Sequence, residues 1–412
     1  MSAMHFAQVQ PFAGDPILSL NEDFGRDARA DKVNLGIGVY LDEQGVLPMM
    51  AAVREAEVRV FERGGPKPYL PMSGAAEYRR LAQELAFGAD APVLREGRVA
   101  TVQTLGGSGA LRIGADFLKA THPQSDAWVS DPTWENHYGL LGGCGIRLSP
   151  YPYYDPATGC LDLDRMLAKL ASLPARSIVV LHACCHNPTG VDPTDADWNA
   201  ILKVIADRRL IPFVDMAYQG FGRGIEEDAL VPRMLAEAGV NFLLACSFSK
   251  NLSVYGERCG ALHVVCSSAE EASRVLGQLQ AAVRRNYSNP PTHGAALVSS
   301  VLGDAQLRQR WLTELTAMRE RIASMRTGLR GALESMLPGE DFSYITRQRG
   351  MFSYTGLTAQ QVDDLRQTSA IYMLRSGRAC MTGFTPSNLP QVARAIADVI
   401  RRPTGASASG DS

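Results

Sequence analysis

Short apolar runs alternate with longer amphipathic segments between about residues 99 and 250. The runs "VATVQTL", "DAWVSD", "SIVVLH", "LIPFV" and "VNFLLACS" each have the short, mostly apolar pattern typical of strands covered on both faces. The segments between them, such as "DADWNAILKVIADRR", have helical spacing of their apolar residues. Strands that alternate with helices predict βαβ units and therefore an α/β fold with a parallel sheet.

The pattern changes on either side of this region. A long polar–apolar helix is predicted from about 304 to 336, followed by a smaller α+β segment. The tail "RRPTGASASGDS" is small and polar, which is typical of disorder. Because 412 residues exceed one simple core, we expect two domains. The predicted division is an N-terminal arm (1–15), a small domain (16–45 and 311–401), a large domain (46–310) and a disordered tail (402–412).

Composition and charge exclude several classes of protein. A net charge of −2 with no basic run provides no field for nucleic acid or an anionic membrane surface. No apolar stretch approaches the ~20 residues that span a bilayer, and the first residues lack a secretory pattern, so we expect a cytoplasmic protein. The eight cysteines include no C-x-x-C pair, which favours reduced core thiols over disulfides or zinc.

Polar residues follow the predicted strands, where open α/β sheets bind ligands. Gly106 to Gly109 lead into a helix, whose N-terminal N–H groups either bind phosphate or simply form a tight turn. Arg112 occupies the third glycine position of a dinucleotide fingerprint, so that fingerprint fits poorly. Asp215 is a helix cap, a structural ion pair or the counter-ion of a protonated ring nitrogen. No histidine pair has metal-binding spacing, so no metal site is expected.

Lys250 ends the last strand in "SFSKNL", where a charged side chain is unusual. A lysine that loses hydration has a depressed pKa and can form an imine with an aldehyde. The nearby Arg258 and hydroxyl groups suit a phosphate. A phosphate cradle, a ring carboxylate and an imine lysine on successive strands together predict a site for pyridoxal 5'-phosphate.

Long motifs resemble the class I pyridoxal-phosphate aminotransferases, and more closely the bacterial aromatic-amino-acid and aspartate group. The similarity runs from about residue 10 to 401. It implies fold type I, with a mainly parallel seven-stranded sheet in the large domain, a smaller α+β domain, and a homodimer whose active sites are shared. The motifs are "GGSGALRIGADFL", "SDPTWENH", "HACCHNPTG", "VDMAYQGF", "SFSKNLSVYGER", "RRNYSNPPTHGA", "GMFSYTGL" and "SGRACMTGFTPSN".

The resemblance also implies roles for residues around the cofactor. Lys250 would hold the cofactor as an imine and then move the proton that the substrate Cα loses. Asp215 would pair with the ring nitrogen, and His137 would be the partner of Asp215 on the side away from the ring. Tyr218 and Asn187 would hydrogen-bond the ring hydroxyl oxygen. The remaining cofactor contacts would be Trp134, stacked on the ring, and Gly107, Ser108, Ser247 and Arg258 at the phosphate, with Tyr69 from the other subunit.

Two arginines would bind the substrate. Arg378 matches the residue that forks onto the α-carboxylate, beside the backbone of Gly38 and next to Trp134 and Asn187. Arg284 matches the arginine that reaches from the partner subunit to a distal carboxylate. Both groups of enzymes need that arginine, because both process glutamate.

The resemblance also relates substrate preference to residues around the pocket entrance. Leu41, Leu47 and Pro68 replace polar residues of aspartate-selective relatives, and Ser108 is more typical of aromatic-accepting ones, whereas Val39 and Asn289 look like the aspartate type. The leucines either form an apolar wall, worth ~25 cal/mol per Å² buried, or pack locally. We expect transamination of tyrosine, phenylalanine, tryptophan and aspartate with 2-oxoglutarate. The alternatives are a mainly aspartate-specific enzyme and, in another class, a non-catalytic cofactor-binding sensor.

Overall fold

The computed structural model describes residues 5–11 and 14–402. Most of the predicted tail and part of the predicted arm (1–4, 12–13 and 403–412) lie outside the described residues. The helices in the described part are α1 (Pro16–Arg26), α2 (Ala51–Arg63), α3 (Ala76–Phe87), α4 (Pro92–Arg95), α5 (Gly106–Thr121), α6 (Asn136–Gly142), α7 (Leu163–Ser172), α8 (Asp195–Arg208), α9 (Leu230–Glu237), α10 (Ala269–Asn286), α11 (His293–Gly303), α12 (Ala305–Met336), α13 (Tyr344–Arg347), α14 (Ala359–Ser369) and α15 (Leu389–Arg401).

A seven-stranded sheet with the order β2-β10-β9-β8-β7-β3-β4 forms the centre of the molecule. Only β10 runs against its neighbours β2 and β9, so the predicted α/β class with a mainly parallel sheet is confirmed. The strands are β1 (Val33–Asn34), β2 (Val99–Leu105), β3 (Ala127–Asp131), β4 (Leu148–Pro152), β5 (Tyr154–Asp155), β6 (Cys160–Leu161), β7 (Ile178–His182), β8 (Ile211–Met216), β9 (Phe242–Ser247), β10 (Cys259–Val265), β11 (Phe352–Tyr354), β12 (Ile371–Tyr372) and β13 (Arg378–Cys380).

The central strands are apolar along their length because both faces of the sheet are covered. Phe213 and Leu243 belong to a core cluster that includes residues of α5 and α10 on one face. Val214 and Leu244, their neighbours in sequence, belong to a larger cluster on the other face, which continues into α12 and the C-terminal segment. Successive strand side chains point to opposite faces, so burial on both sides removes the polar alternation of a half-exposed strand.

The long helix α12 confirms the predicted helix at about 304–336. Asp304 caps its N-terminus by accepting hydrogen bonds from the backbone N–H groups of Gln306 and Leu307, both at 2.9 Å. The helix contacts α2 and α11, which lie beside the large sheet, and also α13 and α15 in the C-terminal segment. It therefore joins the two parts of the fold without an interruption.

Three two-stranded sheets complete the described structure, one of them the antiparallel pair β5–β6. Strand β1 pairs in parallel with β12, and β11 pairs in antiparallel fashion with β13, so the beginning and the end of the chain meet. Helix α14 packs beside β12, and α15 packs on α14 and α12. The domain boundaries proposed from the sequence stay a prediction. Among the described residues, no helix is both long and apolar enough to cross a membrane.

Candidate active site

The carboxyl ends of β2, β3, β7, β8 and β9 meet at one cavity of about 300 Å³. This is the edge at which an open α/β sheet binds ligands. The cavity brings together eleven residues that the sequence motifs nominated: Gly38, Gly107, Ser108, Trp134, Asn187, Asp215, Tyr218, Ser247, Lys250, Arg258 and Arg378.

Lys250 follows β9 and faces this cavity. Burial lowers the pKa of its amine to about 8 against the opposing attraction of Asp215, and the positive charges of Arg258 and Arg378 lower it further. Its Nζ lies 4.9 Å from the centre of the Tyr218 ring. Among the described residues, no hydrogen bond to Nζ is present. With a pKa of about 8, part of the amine is neutral near pH 7, and this neutral form is what a nucleophile and a proton carrier both require.

Asp215 forms a buried pair with His137 at the end of β8. His137 Nε2 lies 3.1 Å from Asp215 Oδ2, and Thr133 Oγ1 lies 2.8 Å from His137 Nδ1. Burial raises the pKa of the Asp215 carboxyl, but the His137 hydrogen bond and the charges of His137, His182 and Lys250 bring it below its ordinary value. The group is therefore a fixed negative charge at the cavity floor, and His137 lies behind it.

The N-terminus of α5 and Arg258 form a site for an anion. Gly106 has a φ of +67°, and a Cβ there would lie 2.6 Å from Arg258 Nη2, so glycine lets the guanidinium approach the helix. Arg258 Nη1 donates to Tyr255 O at 2.8 Å and to Ser249 Oγ at 3.3 Å. The backbone N–H groups of the first helical turn and this guanidinium converge on the same end of the cavity.

Arg378 lies at the other end of the cavity. Its guanidinium is 2% exposed, packs over the Phe352 ring at 4.2 Å, and donates to Gly36 O at 2.7 Å and to Asn187 Oδ1 at 3.3 Å. Its buried Nε has no partner among the described residues. Burial lowers the pKa of the guanidinium. A buried cation with an unmade hydrogen bond fits a bidentate carboxylate.

Three nominated residues do not line the cavity, and one of them, His137, lies behind Asp215 as predicted. Tyr69 is 90% exposed, and Arg284 is exposed on α10, where it donates to Ser288 Oγ. Both were expected to act on the partner's site, so their exposure within one chain is compatible with that role but does not test it. Leu41 and Leu47 do not line the cavity either: Leu41 lines a separate cavity and Leu47 is 44% exposed.

Sequence reasoning missed several residues that line the cavity. Phe352 and Tyr255 lie within quoted motifs but were given no role. Tyr255 Oη accepts from the Tyr40 backbone N–H at 2.8 Å, which ties the β1 side of the site to the Lys250 loop. Ile17 adds an apolar side chain from α1. Aromatic and aliphatic residues have no distinctive spacing, so only the folded chain reveals these contacts.

The eight cysteines are free thiols, as predicted. Within the described residues, Cys184, Cys185 and Asp228 place three potential metal ligands within 4.8 Å of one another. The Asp228 carboxylate already accepts hydrogen bonds from the backbone N–H groups of Gly220, Gly222 and Arg223. The hydrogen bond with Cys185, and then burial, raise the thiol pKa of Cys184 well above its usual range, which disfavours the thiolate that a metal needs.

Residues 30–396 match the sequence model of aminotransferase class I and II. The chain belongs to this aminotransferase family. It is 53% identical over 396 residues to the aromatic-amino-acid aminotransferase of Escherichia coli, covering 96% of this chain and 100% of the relative. It is 48% identical to the aspartate aminotransferase of Pseudomonas aeruginosa, covering 96% of this chain and 99% of the relative.

A solved structure of similar shape is the aromatic-amino-acid aminotransferase of Burkholderia pseudomallei covalently bound to pyridoxal phosphate. It superimposes with a TM-score of 0.95 at 50% identity, over 97% of this chain and 100% of that one. The predicted family and fold are confirmed, and the chain is an aminotransferase, an enzyme that acts on an amino acid and a 2-oxo acid.

Proposed function

We propose that this chain is a pyridoxal-phosphate-dependent aminotransferase for aromatic L-amino acids and aspartate, with 2-oxoglutarate as amino acceptor. The observation that carries the proposal is the Lys250 amine of lowered pKa, set between the Asp215–His137 pair and two separate anion sites at Arg258 and Arg378. Relatives named for aromatic amino acids and for aspartate align over nearly the whole chain.

The residues of the cavity fit pyridoxal phosphate. The N-terminus of α5 with Arg258, Ser108 and Ser247 suits a phosphate, and the Asp215 carboxylate suits a protonated ring nitrogen. When bound, this cofactor supplies an aldehyde to the Lys250 amine and a cationic ring that withdraws electrons from the carbon losing its proton.

The remaining chemistry belongs to the chain's own groups. Arg378 binds the substrate α-carboxylate in the position where its Nε has no partner, and Asn187 holds the guanidinium in place. This orients the Cα proton toward Lys250 Nζ, which accepts it and returns it during the cycle. Asp215 stays ionised throughout, because His137 supports its negative charge.

We further propose that two copies of the chain form a homodimer that completes each active site. Tyr69 and Arg284 are exposed, and neither lines the cavity of its own chain. A second copy would bring them to the phosphate end and the distal substrate end. The segment that contains Tyr69, residues 46–72, also exposes several apolar side chains, which supports burial of this surface against a second copy. They are Val46, Leu47, Met49, Val58, Phe61 and Met72.

A half-reaction experiment tests the substrate proposal. The absorption band of the bound cofactor is followed after addition of phenylalanine or aspartate without any oxo acid. We expect both amino acids to remove the band. A response to aspartate alone would favour the mainly aspartate-specific alternative, which the positions of Leu41 and Leu47 outside the cavity support. Lack of the band after cofactor is supplied would contradict the enzymatic proposal.

A further inference from the structure

A second cavity, of about 630 Å³, lies between α12, the loop at 191–197 and the segment 346–350. It shares no lining residue with the active-site cavity. Four arginines line it, on two different elements: Arg319 and Arg326 on α12, and Arg347 and Arg349 at and after α13. No role in the proposed reaction requires this cavity.

The charges around the second cavity are unbalanced. Asp192 and Asp197 are its acidic lining residues, and both carboxylates are engaged elsewhere. Asp192 accepts from the backbone N–H groups of Cys185 and His186, at 2.7 and 2.8 Å. Asp197 accepts from Thr194 within the capping box of α8. Among ion pairs between described residues, none involves any of the four arginines.

Arg326 is the buried member of this group. It is 4% exposed, and its two Nη atoms donate to the carbonyl oxygens of Ile345, Gly350 and Phe352. Its Nε is buried and has no partner among the described residues. Burial lowers the pKa of this guanidinium to about 10. A buried unmade hydrogen bond costs about 1–3 kcal/mol, so an acceptor in the cavity would be favourable.

Of the three arginines nearer the surface, Arg319 and Arg349 have free donor groups, whereas Arg347 donates to Ser343 and Thr158. Arg349 is exposed, and within the described chain its side chain makes no hydrogen bond. Arg319 donates once, to Gly220 O at 3.2 Å. Guanidinium groups present a planar fork that matches the two oxygens of a carboxylate or phosphate.

We propose that this cavity is a binding site for a small organic anion with two or more oxyanion groups, separate from the substrate site. Its chemistry suits carboxylate and phosphate groups alike, because both accept from an arginine fork. Arg319 and Arg349 bind the anion from opposite walls, while Arg326 supplies a buried positive charge at the base.

The site is connected to the active-site cavity through one short segment. Arg326 holds the carbonyl oxygens of Gly350 and Phe352, and the Phe352 ring packs on Arg378. An anion at Arg326 therefore changes how firmly Phe352 and Arg378 are held. This consequence rests on the proposed function: the KM for the amino acid should shift by about twofold to tenfold with little change in kcat.

Calorimetric titration of the holoenzyme tests the binding site without relying on activity. 3-Phenylpropionate, a monocarboxylate, is present at saturation to occupy Arg378, and citrate and inorganic pyrophosphate are added in separate titrations to distinguish the carboxylate and phosphate sources. We expect one site per chain for at least one of them, weakened about tenfold or more by Arg349→Gln or Arg319→Gln. The matched control Arg147→Gln removes an arginine that is 78% exposed and away from the cavity, and should leave binding unchanged.

The outcomes are distinct from those of the functional proposal. Absence of binding by both anions would overturn the site, and so would an affinity that neither cavity variant changes. Binding that is lost as 3-phenylpropionate increases would assign the anion to the substrate site instead. Normal transamination together with any of these results would leave the proposed function intact and remove only the second site.

Discussion

The two ends of the active-site cavity are built in different ways. At the ring end, Asp215 lies near the end of β8, Lys250 follows β9 and Arg258 precedes β10, and these are neighbouring strands of one sheet. Contacts within the chain hold Asp215 and Arg258. At the distal end, Arg284 is exposed on the surface of its own chain. The ring end is built from one copy except for the proposed contribution of Tyr69, whereas the proposed distal end depends on Arg284 of the second copy.

This difference separates chemistry from substrate selection. Groups that move protons need fixed geometry, which strand ends in a close-packed sheet provide. Groups that recognise a side chain can lie on a second copy, because they contribute binding energy but do not take part in proton transfer. Substitutions at the ring end should therefore affect all substrates equally, and substitutions at the distal end should affect them selectively.

Lys250→Ala is the largest test of the ring end. We expect kcat to fall by about 10⁴-fold with phenylalanine and aspartate alike, because a positioned acid–base group contributes about 10²–10⁴-fold. Steady-state assays with both amino acids measure this loss. Lys203→Ala is the control, since Lys203 is 74% exposed and pairs only with Asp207 among the described residues. Full activity of the Lys250→Ala variant would contradict the proposed acid–base role of Lys250 at the ring end.

Arg378→Gln should reduce kcat/KM by about 10²–10³-fold for every amino acid, because loss of a buried charge partner costs about 2–5 kcal/mol. Arg378→Lys should recover part of this, since it keeps the charge but loses the fork. Arg375→Gln, which removes an arginine 70% exposed, is the control and should be close to the unchanged enzyme. A loss restricted to aspartate would place Arg378 at the distal end instead.

The lowered pKa of Lys250 predicts the pH dependence of its reactivity in the cofactor-free protein. Below a pKa of about 8 the protonated amine predominates, and above it the neutral nucleophile does. The rate of reductive methylation at Lys250 should rise by about 10²-fold from pH 6 to 8 and then level off, whereas an ordinary lysine, of pKa about 10.4, continues to gain. Mass spectrometry of the modified peptides, with Lys203 as reference, measures both. Identical pH profiles for the methylation of Lys250 and Lys203 would contradict the burial of Lys250.

Arg284→Gln tests whether the distal end selects between substrates, and it has the smallest expected effect. A charged hydrogen bond contributes about 1.5–3 kcal/mol, so kcat/KM for aspartate should fall by about 10–10²-fold. Phenylalanine has no distal carboxylate and should be affected by less than about threefold. The neighbouring Arg285→Gln removes the same charge from the same helix turn and serves as the control. Equal losses for both substrates would show that Arg284 supports the fold or the dimer.

The sheet and the ring end were predictable because their signals are local. Apolar runs mark β2, β3, β7, β8 and β9, and polar residues directly follow them. The carboxyl ends of parallel strands meet at one edge, so local signals are enough to predict that these residues converge. Family motifs supplied the individual roles.

Other features depend on contacts between distant parts of the chain. Phe352 packs on Arg378 across a β11–β13 pair, and Tyr255 accepts from the backbone of Tyr40. The second cavity requires α12 to lie against the 346–350 segment. Strand β10 lies beyond the predicted β9 and pairs in the opposite direction. No periodicity in the sequence records such pairings, because they follow from how the elements pack.

The uninterrupted helix α12 has a mechanical consequence. Its 32 residues make a stiff rod about 48 Å long at 1.5 Å per residue. One half is anchored beside the large sheet and the other beside the C-terminal segment, as its contacts with α2 and α15 show. A tilt of about 5° at the middle would displace each tip by about 2 Å, given the rise of 1.5 Å per residue. The rod thus converts a small rotation near the sheet into a displacement comparable to a bond length or more at the far end.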